Sequence, residues 1–133
     1  MFVEGMPKPC DVPQYPPDKS RPATRSDHLI RIADRLGSVK TGSLLADITI
    51  HNALGLVGPV QPYTTNEAAA LSLLPADFEW LDPVYSSGVV YIGCRRVGLD
   101  GGWPRPHHGQ WGNTSALAAC GAALRAYAKV EMA

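Results

Sequence analysis

The hydrophobic positions of this chain predict four helices and two strands. Thr24 and Asp27 form a capping box, in which the threonine oxygen accepts from a first-turn amide and the carboxylate reaches back to the cap amide. Apolar residues follow at helical spacing, at Leu29, Ile32, Ala33 and Leu36. Gly37 is a natural C-cap. The first predicted helix therefore ends near residue 36.

Ser43 predicts the cap of a second helix, which covers residues 44–54 and ends at Gly55. Its predicted apolar face consists of Leu44, Leu45, Ile48 and His51. Thr49 and Ile50 are β-branched and also suit a strand. The third predicted helix covers residues 64–74, with Thr64 and Glu67 as its capping box and Pro75 as its stop.

Two strand patterns follow. Phe78 and Trp80 alternate with Glu79, which predicts a half-buried strand, and residues 89–95 are apolar on both faces, as in a covered strand. Residues 86–88 between them favour an antiparallel hairpin with a loop longer than two residues. Because two strands alone are marginally stable, a third strand is expected from residues 57–63 or from the N-terminal segment.

Residues 97–113 are rich in glycine and proline, so they predict a long loop without regular structure. The last predicted helix covers residues 114–132. Its apolar stripe consists of Leu117, Cys120, Leu124 and Tyr127. Alanines on either side keep this helix slim enough to lie flat on the sheet.

Residues 1–24 contain six prolines, at positions 7, 9, 13, 16, 17 and 22. This density excludes a regular helix and predicts an extended arm. Phe2, Val3, Val12 and Tyr15 give the arm side chains to bury. The predicted organisation is an extended proline-rich arm at 1–24 and an α+β domain at 25–133, a single domain in which a small antiparallel sheet is covered by about four helices.

Composition and charge restrict the classes of partner. Twelve basic and twelve acidic residues cancel in a chain of 133 residues, so no overall field favours strong non-specific binding to nucleic acid or to a membrane. Three cysteines without a CxxC spacing indicate reduced thiols. The N-terminus lacks the pattern of a signal peptide, and we expect a cytoplasmic protein.

No stretch carries a catalytic or cofactor signature, and we expect neither enzymatic activity nor a bound cofactor or metal. Adjacent histidines such as His107 and His108 cannot easily bind one ion, and no second Cys or His lies at a ligand spacing. A Cys94–His107 dyad lacks a visible means of thiolate activation. The glycines around residue 101 match no phosphate-binding spacing. Cys120 is interpreted as a small buried hydrophobic residue.

A cluster of aromatic and basic residues is the strongest surface feature, and it predicts a partner-binding surface. Its members are Arg95, Arg96, Trp103, Arg105, His107, His108 and Trp111. Tryptophan and arginine dominate hot spots of protein–protein interfaces, which favours a protein partner. The same residue types stack on bases and contact phosphates, so single-stranded nucleic acid is the rival partner. Alternatively, Trp103 and Trp111 fold back over an open core face.

Several motifs together resemble a family of small phage and prophage proteins, the phage alpha-beta-alpha sandwich domain family. The resemblance covers about residues 26–127. It is carried by the helix at 27–35, by Pro62-Tyr63-Thr64-Thr65 before Ala68-Ala69, by Leu73-Leu74-Pro75 before Trp80, and by the alanine-rich segment 113–126. It implies a phage origin and an α+β fold, and it supplies no catalytic residues. The chain departs from the family pattern in its arm and in the segment from Trp103 to Trp111.

Two functions remain open at this point. The first is a non-enzymatic phage accessory protein that binds a host protein stoichiometrically and inhibits a bacterial defence system such as CRISPR-Cas. The second is a component of the phage particle or its assembly, in which the arm contacts neighbouring subunits and the protein self-associates.

Overall fold

The computed structural model describes residues 24–97 and 107–132. The elements are α1 (Arg25–Leu36), α2 (Leu44–Leu54), α3 (Glu67–Leu71), β1 (Phe78–Trp80), β2 (Val84–Ser86), β3 (Val89–Arg96), β4 (His107–Gly112) and α4 (Ser115–Met132). Within these ranges the fold has four helices and one small antiparallel sheet of four strands. The α+β class predicted from the sequence is confirmed. Apart from Thr24, the predicted arm lies outside the described residues.

Strand β3 is the centre of the sheet. β4 pairs along one side of it, from Val90 opposite Gly112 to Arg95 opposite His107. β1 and β2 share the other side, at opposite ends of β3. Ser87 and Gly88 join β2 to β3 with φ angles of 49° and 83°. This two-residue turn belongs to β2, a strand that the sequence did not predict, and its positive φ angles match the strand twist. The predicted antiparallel pairing of the strand at Phe78–Trp80 with the strand that begins at Val89 is confirmed, and their connection is longer than two residues because it contains β2.

Strand β4 corrects the prediction of an unstructured stretch at 97–113. It also supplies the additional strand that was expected from residues 57–63 or from the arm. Its glycines are needed for close packing. A Cβ atom at Gly109 would overlap the phenol ring of Tyr91, and one at Gly112 would lie 2.8 Å from the Ala118 backbone nitrogen. Glycine here indicates close approach within a sheet and does not break the strand.

Helix α4 packs between α1 and one face of the sheet. The predicted stripes of both helices are confirmed, since Leu29 and Ala33 of α1 and Leu117 and Leu124 of α4 are buried. The predicted capping box of α1 is also present, with Thr24 and Asp27 exchanging two hydrogen bonds of 3.1 Å. Ser26 Oγ donates to the Ala128 carbonyl oxygen at 2.9 Å, which joins the start of α1 to the end of α4.

A network of side-chain hydrogen bonds also links β4 to α1 and α4. The Gln110 amide donates to the Ala33 carbonyl oxygen, and its own oxygen accepts from Arg125 Nε at 2.8 Å. Arg125 Nη2 in turn donates to Asp34 Oδ1 at 2.6 Å. Gln110 is buried, and these bonds satisfy its amide there.

The bounds of α2 are confirmed, with Ser43 as N-cap and Gly55 as a left-handed C-cap at φ 66°. Its predicted apolar face is wrong for Leu44, Leu45 and Ile48, and only His51 of that set is buried. The leucines at 44 and 45 are 69% and 74% exposed, and the buried side carries Asp47, Ile50, His51 and Leu54. The polar residues on this side have partners, because His51 Nδ1 lies 3.0 Å from the Tyr63 hydroxyl and Asp47 binds Thr64.

Helix α3 is shorter than predicted and begins later. Asn66 caps it by accepting from the Ala69 amide at 3.0 Å, so the predicted capping box of Thr64 and Glu67 is wrong. Thr64 has another role. Its hydroxyl donates to Asp47 at 2.6 Å and accepts from the Ser43 amide at 3.0 Å.

Candidate functional site

The sheet has one face packed on α4 and one face that no described helix covers. Side chains alternate along β3, so Val90, Ile92 and Cys94 point to α4 while Tyr91 and Arg95 point the other way. We call this second surface the open sheet face. It carries the side chains of Glu79, Leu81, Val84, Tyr91, Arg95 and Trp111.

An aromatic pair on the open sheet face joins the central strand β3 to the edge strand β4. Trp111 of β4 pairs with Tyr91 of β3, and their ring centroids are 5.3 Å apart at an interplanar angle of 57°. This tilted arrangement is favourable for two aromatic rings. The Tyr91 ring extends over Gly109, where any side chain would displace it. Trp111 nevertheless remains 46% exposed, so a large apolar surface is available there for contact.

An ion pair borders the aromatic pair. Arg95 Nε lies 2.6 Å from Glu79 Oε2, and the two residues are direct cross-strand partners. Both side chains are more than two-fifths exposed, so water screens the pair and it adds little stability. Its effect on the surface is electrostatic, because the carboxylate compensates the positive charge of Arg95.

The structure divides the predicted binding residues between two places. Arg95 and Trp111 lie on the open sheet face, and the backbone of His107 pairs opposite Arg95. Arg96 and His108 lie instead around Phe78. The Arg96 guanidinium is 5.3 Å from the centre of the Phe78 ring, and the His108 ring is 6.1 Å from it. The sequence placed all of these residues on one surface.

Trp103 and Arg105, which the sequence also assigned to this surface, lie outside the described residues. Their place in the binding surface therefore stays a prediction.

Comparison with protein-family models, with curated protein sequences and with solved structures finds no match for this chain. The resemblance to the phage family stays a prediction. The function of the open sheet face must therefore be argued from its own geometry.

Sequence reasoning missed Tyr91 and Val84 as members of the surface. Tyr91 lies in a run of apolar residues that indicated burial on both sides, although the described residues cover only one side of β3. A signal for the pair was present in the sequence, because Gly109 lies two residues before Trp111 and so faces the same side of a strand. That signal becomes readable only when residues 107–112 are recognised as a strand.

The buried thiols have the properties of packing residues. Burial raises the pKa of the Cys94 thiol to about 12. Burial, and then the charge of Asp47, raise the pKa of the Cys120 thiol further still. Cys120 Sγ lies 3.1 Å from the Tyr63 carbonyl oxygen, to which it can donate. Both thiols are therefore protonated near neutral pH, which disfavours nucleophilic attack.

The described ranges were also searched for two other kinds of feature. Residues 24–97 and 107–132 contain no group of three or more His, Cys, Asp or Glu side chains that could hold a metal ion. None of the helices in this part of the chain is both long and apolar enough to cross a membrane.

Proposed function

We propose that this protein acts without catalysis, by stoichiometric binding of another protein through the open sheet face. One observation carries the proposal: Trp111, on the edge strand β4, is nearly half exposed on a sheet face that no described helix covers. A large aromatic residue at such a position loses water-accessible surface when a partner binds. Tryptophan is among the residue types that contribute most to protein–protein affinity.

The surroundings of Trp111 have the layout of a protein interface. Tyr91 supports the ring from the side, while Leu81 and the exposed Val84 extend the apolar area along the adjacent strands. The ion pair of Arg95 and Glu79 lies at the border. An apolar centre with a polar rim is the common arrangement of specific protein interfaces.

The charge on this face favours a protein over single-stranded nucleic acid. An aromatic pair alone could stack on bases, but single-strand binding also needs a positively charged groove along the backbone. Arg95 is compensated by Glu79 at 2.6 Å, and the chain as a whole has a formal net charge of zero. Few phosphate contacts are then available to support affinity at physiological salt.

The resemblance to small phage proteins suggests the class of partner. We propose a phage- or prophage-encoded accessory protein that acts in the cytoplasm of a bacterial host. Its target would be a host protein or protein complex, and a defence complex such as a CRISPR-Cas effector is the candidate of first choice.

A pull-down with matched variants tests the proposal. Wild-type protein, Trp111→Ala and Tyr85→Ala are each used to capture proteins from bacterial lysate. Tyr85 is a suitable control because it is also an exposed aromatic residue of the sheet, but it alternates to the other side from Val84. A host protein retained by wild type and Tyr85→Ala, and lost with Trp111→Ala, is the expected result. Equal capture by all three variants contradicts the proposal.

A mass measurement on the purified protein separates the rival function. A binding protein is expected at the mass of one or a few chains, whereas a particle component assembles into a large complex. A large self-assembled particle whose formation is independent of Trp111 would overturn the proposed function.

A further inference from the structure

A second apolar surface lies on the α1–α2 hairpin, away from the sheet. A groove of about 190 Å³ runs between the two helices. We call it the α1–α2 groove. Its apolar lining includes Ile32, Leu36, Val39, Leu45 and Ala46. It is smaller than the roughly 300–1,000 Å³ of typical small-molecule pockets, so it fits a few side chains better than a whole organic ligand.

The groove is bordered by hydrophobic side chains that the described residues leave uncovered. Leu45 lines it directly, while Leu44 and Ile48 extend the same apolar face of α2. This is the face that the sequence pattern predicts to be buried. Contiguous exposed apolar residues of this kind mark a site where another segment or molecule docks.

We propose that the α1–α2 groove binds the chain's own N-terminal segment, with Val12 and Tyr15 as the side chains that fill it. The position of α1 supports this occupant. Arg25 Nε donates to the Ala53 carbonyl oxygen at 3.3 Å, so the start of α1 lies beside the end of α2. The two helices are therefore antiparallel. The segment that precedes Thr24 therefore starts at one end of this helical hairpin. The groove lies on the side of the same hairpin.

The segment is long enough to reach the groove. Leu36, at the far end of α1, is about 18 Å along the helix from Thr24 at 1.5 Å per residue. A proline-rich extended chain spans about 3.1 Å per residue, so the residues between Tyr15 and Thr24 cover about 28 Å. The chain can therefore turn back along the hairpin and place Tyr15 and then Val12 in the groove.

The composition of the segment suits this site. Asp11-Val12-Pro13-Gln14-Tyr15-Pro16-Pro17 alternates apolar side chains with prolines. Such a sequence favours an extended conformation in advance, so docking costs less conformational entropy than it would for a flexible peptide. Charge agrees with this placement, because Arg35 lines the groove and Asp11 directly precedes Val12. The proposal is independent of the proposed function, since the open sheet face belongs to other elements.

A nitroxide label on Cys10 of the full-length chain tests the proposal. Cys94 and Cys120 are buried, so mild labelling is directed to Cys10, and a Cys10→Ser chain serves as the labelling control. In 15N-labelled protein, the amides of Ile32, Ala46 and Thr49 should lose most of their intensity, while those of the exposed Tyr85 in β2 should not. No loss at the groove overturns the proposal.

Two further measurements identify the occupant and the contact. When a nitroxide-labelled 14N chain is mixed with an unlabelled 15N chain, no loss is expected. Strong loss in this mixture would mean that the segment of a second copy fills the groove, and it would overturn the intramolecular form. Without any label, Tyr15→Ala should shift the groove amides, and unchanged shifts contradict the proposal.

The two adjacent leucines supply a matched pair of variants. Leu44 and Leu45 are both mainly exposed, but only Leu45 is among the groove-lining side chains. Leu45→Ser should restore the intensities in the Cys10-labelled chain, and Leu44→Ser should leave them low. Equal effects of the two variants would place the segment elsewhere.

Discussion

One oxygen of the Asp47 carboxylate accepts two hydrogen bonds from Thr64, from the hydroxyl at 2.6 Å and from the backbone amide at 2.8 Å. Both residues are buried. The pair fixes the first turns of α2 to the segment that precedes α3. Asp47 is on the buried side of α2, and Leu44 and Leu45 are exposed.

Asp47→Ala should lower the free energy of unfolding by about 1–3 kcal/mol, because it leaves the buried amide of Thr64 without its acceptor and the Thr64 hydroxyl with only the Ser43 carbonyl oxygen at 3.2 Å. Urea unfolding measures the change. Asp82→Ala removes an exposed carboxylate and should change stability by less than about 0.5 kcal/mol. Similar losses of stability for Asp47→Ala and Asp82→Ala would contradict the prediction that the buried contact of Asp47 with Thr64 stabilises the fold.

Gly109→Ala should cost about 1–3 kcal/mol, since the added methyl group displaces the Tyr91 ring. In the double variant with Tyr91→Ala the methyl group finds space, so the two costs should not add. Gly93→Ala is the control, because its Cβ atom would meet only ordinary contacts of 3.4 Å or more. Additive costs at Gly109 and Tyr91 would contradict the close approach.

Leu124→Ala should cost about 2–5 kcal/mol in a denaturant melt, because Leu124 is fully buried between α4 and its neighbours. Leu44→Ala makes the same chemical change on an exposed helix position and should cost less than about 1 kcal/mol. A small cost at position 124 would show that the stripe of α4 is not part of the core.

Stability should fall as the pH rises above about 9, and Cys94→Ala should reduce the fall. The unfolded thiol loses its proton near its ordinary pKa of 9.0, while burial holds the folded thiol protonated up to about pH 12. Between these values the folded state binds more protons than the unfolded state, so rising pH favours unfolding. One thiol contributes up to about 1.4 kcal/mol per pH unit.

Urea midpoints of wild type and Cys94→Ala at pH 8 and pH 10 check the sign of this effect. The difference between the two proteins isolates the Cys94 thiol from the other groups that titrate in this range. An equal pH dependence for both proteins would contradict the prediction.

The sequence correctly predicted the helix ends that are set by hydrogen bonds within one helical turn. Thr24 and Asp27 cap α1 through contacts within one turn, and Ser43 and Gly55 bound α2 in the same way. The rotation of α2 could not be predicted, because it depends on Thr64 and Tyr63, which follow the helix after a separate segment. Either the leucine side or the side with Asp47 and His51 could be the buried face of α2. The hydrogen-bond partners of Asp47 and His51 determine which side is buried.

The candidate site was predicted in the same uneven way. Arg95 and Trp111 were selected by residue type, which is a local property. Arg95 is separated from Arg96 by side-chain alternation in β3, and Trp111 is separated from His108 by alternation in β4, whose glycines concealed that it is a strand. Glycine in a sequence indicates either a chain that bends or a chain that something approaches closely, and the neighbouring ring of Tyr91 is needed to distinguish the two.

The packing of α1 against α4 has a consequence for the order of folding during synthesis. The hydrogen bond between Ser26 and Ala128 joins residues that are 102 positions apart in the sequence. The apolar stripe of α1 is therefore covered only after α4 has been synthesised. Contacts of such long range slow folding and expose hydrophobic surface to other nascent chains. On the ribosome, the face of α1 that packs on α4 must remain uncovered until residues 115–132 have left the exit tunnel, and that interval is when a chaperone would be expected to bind it.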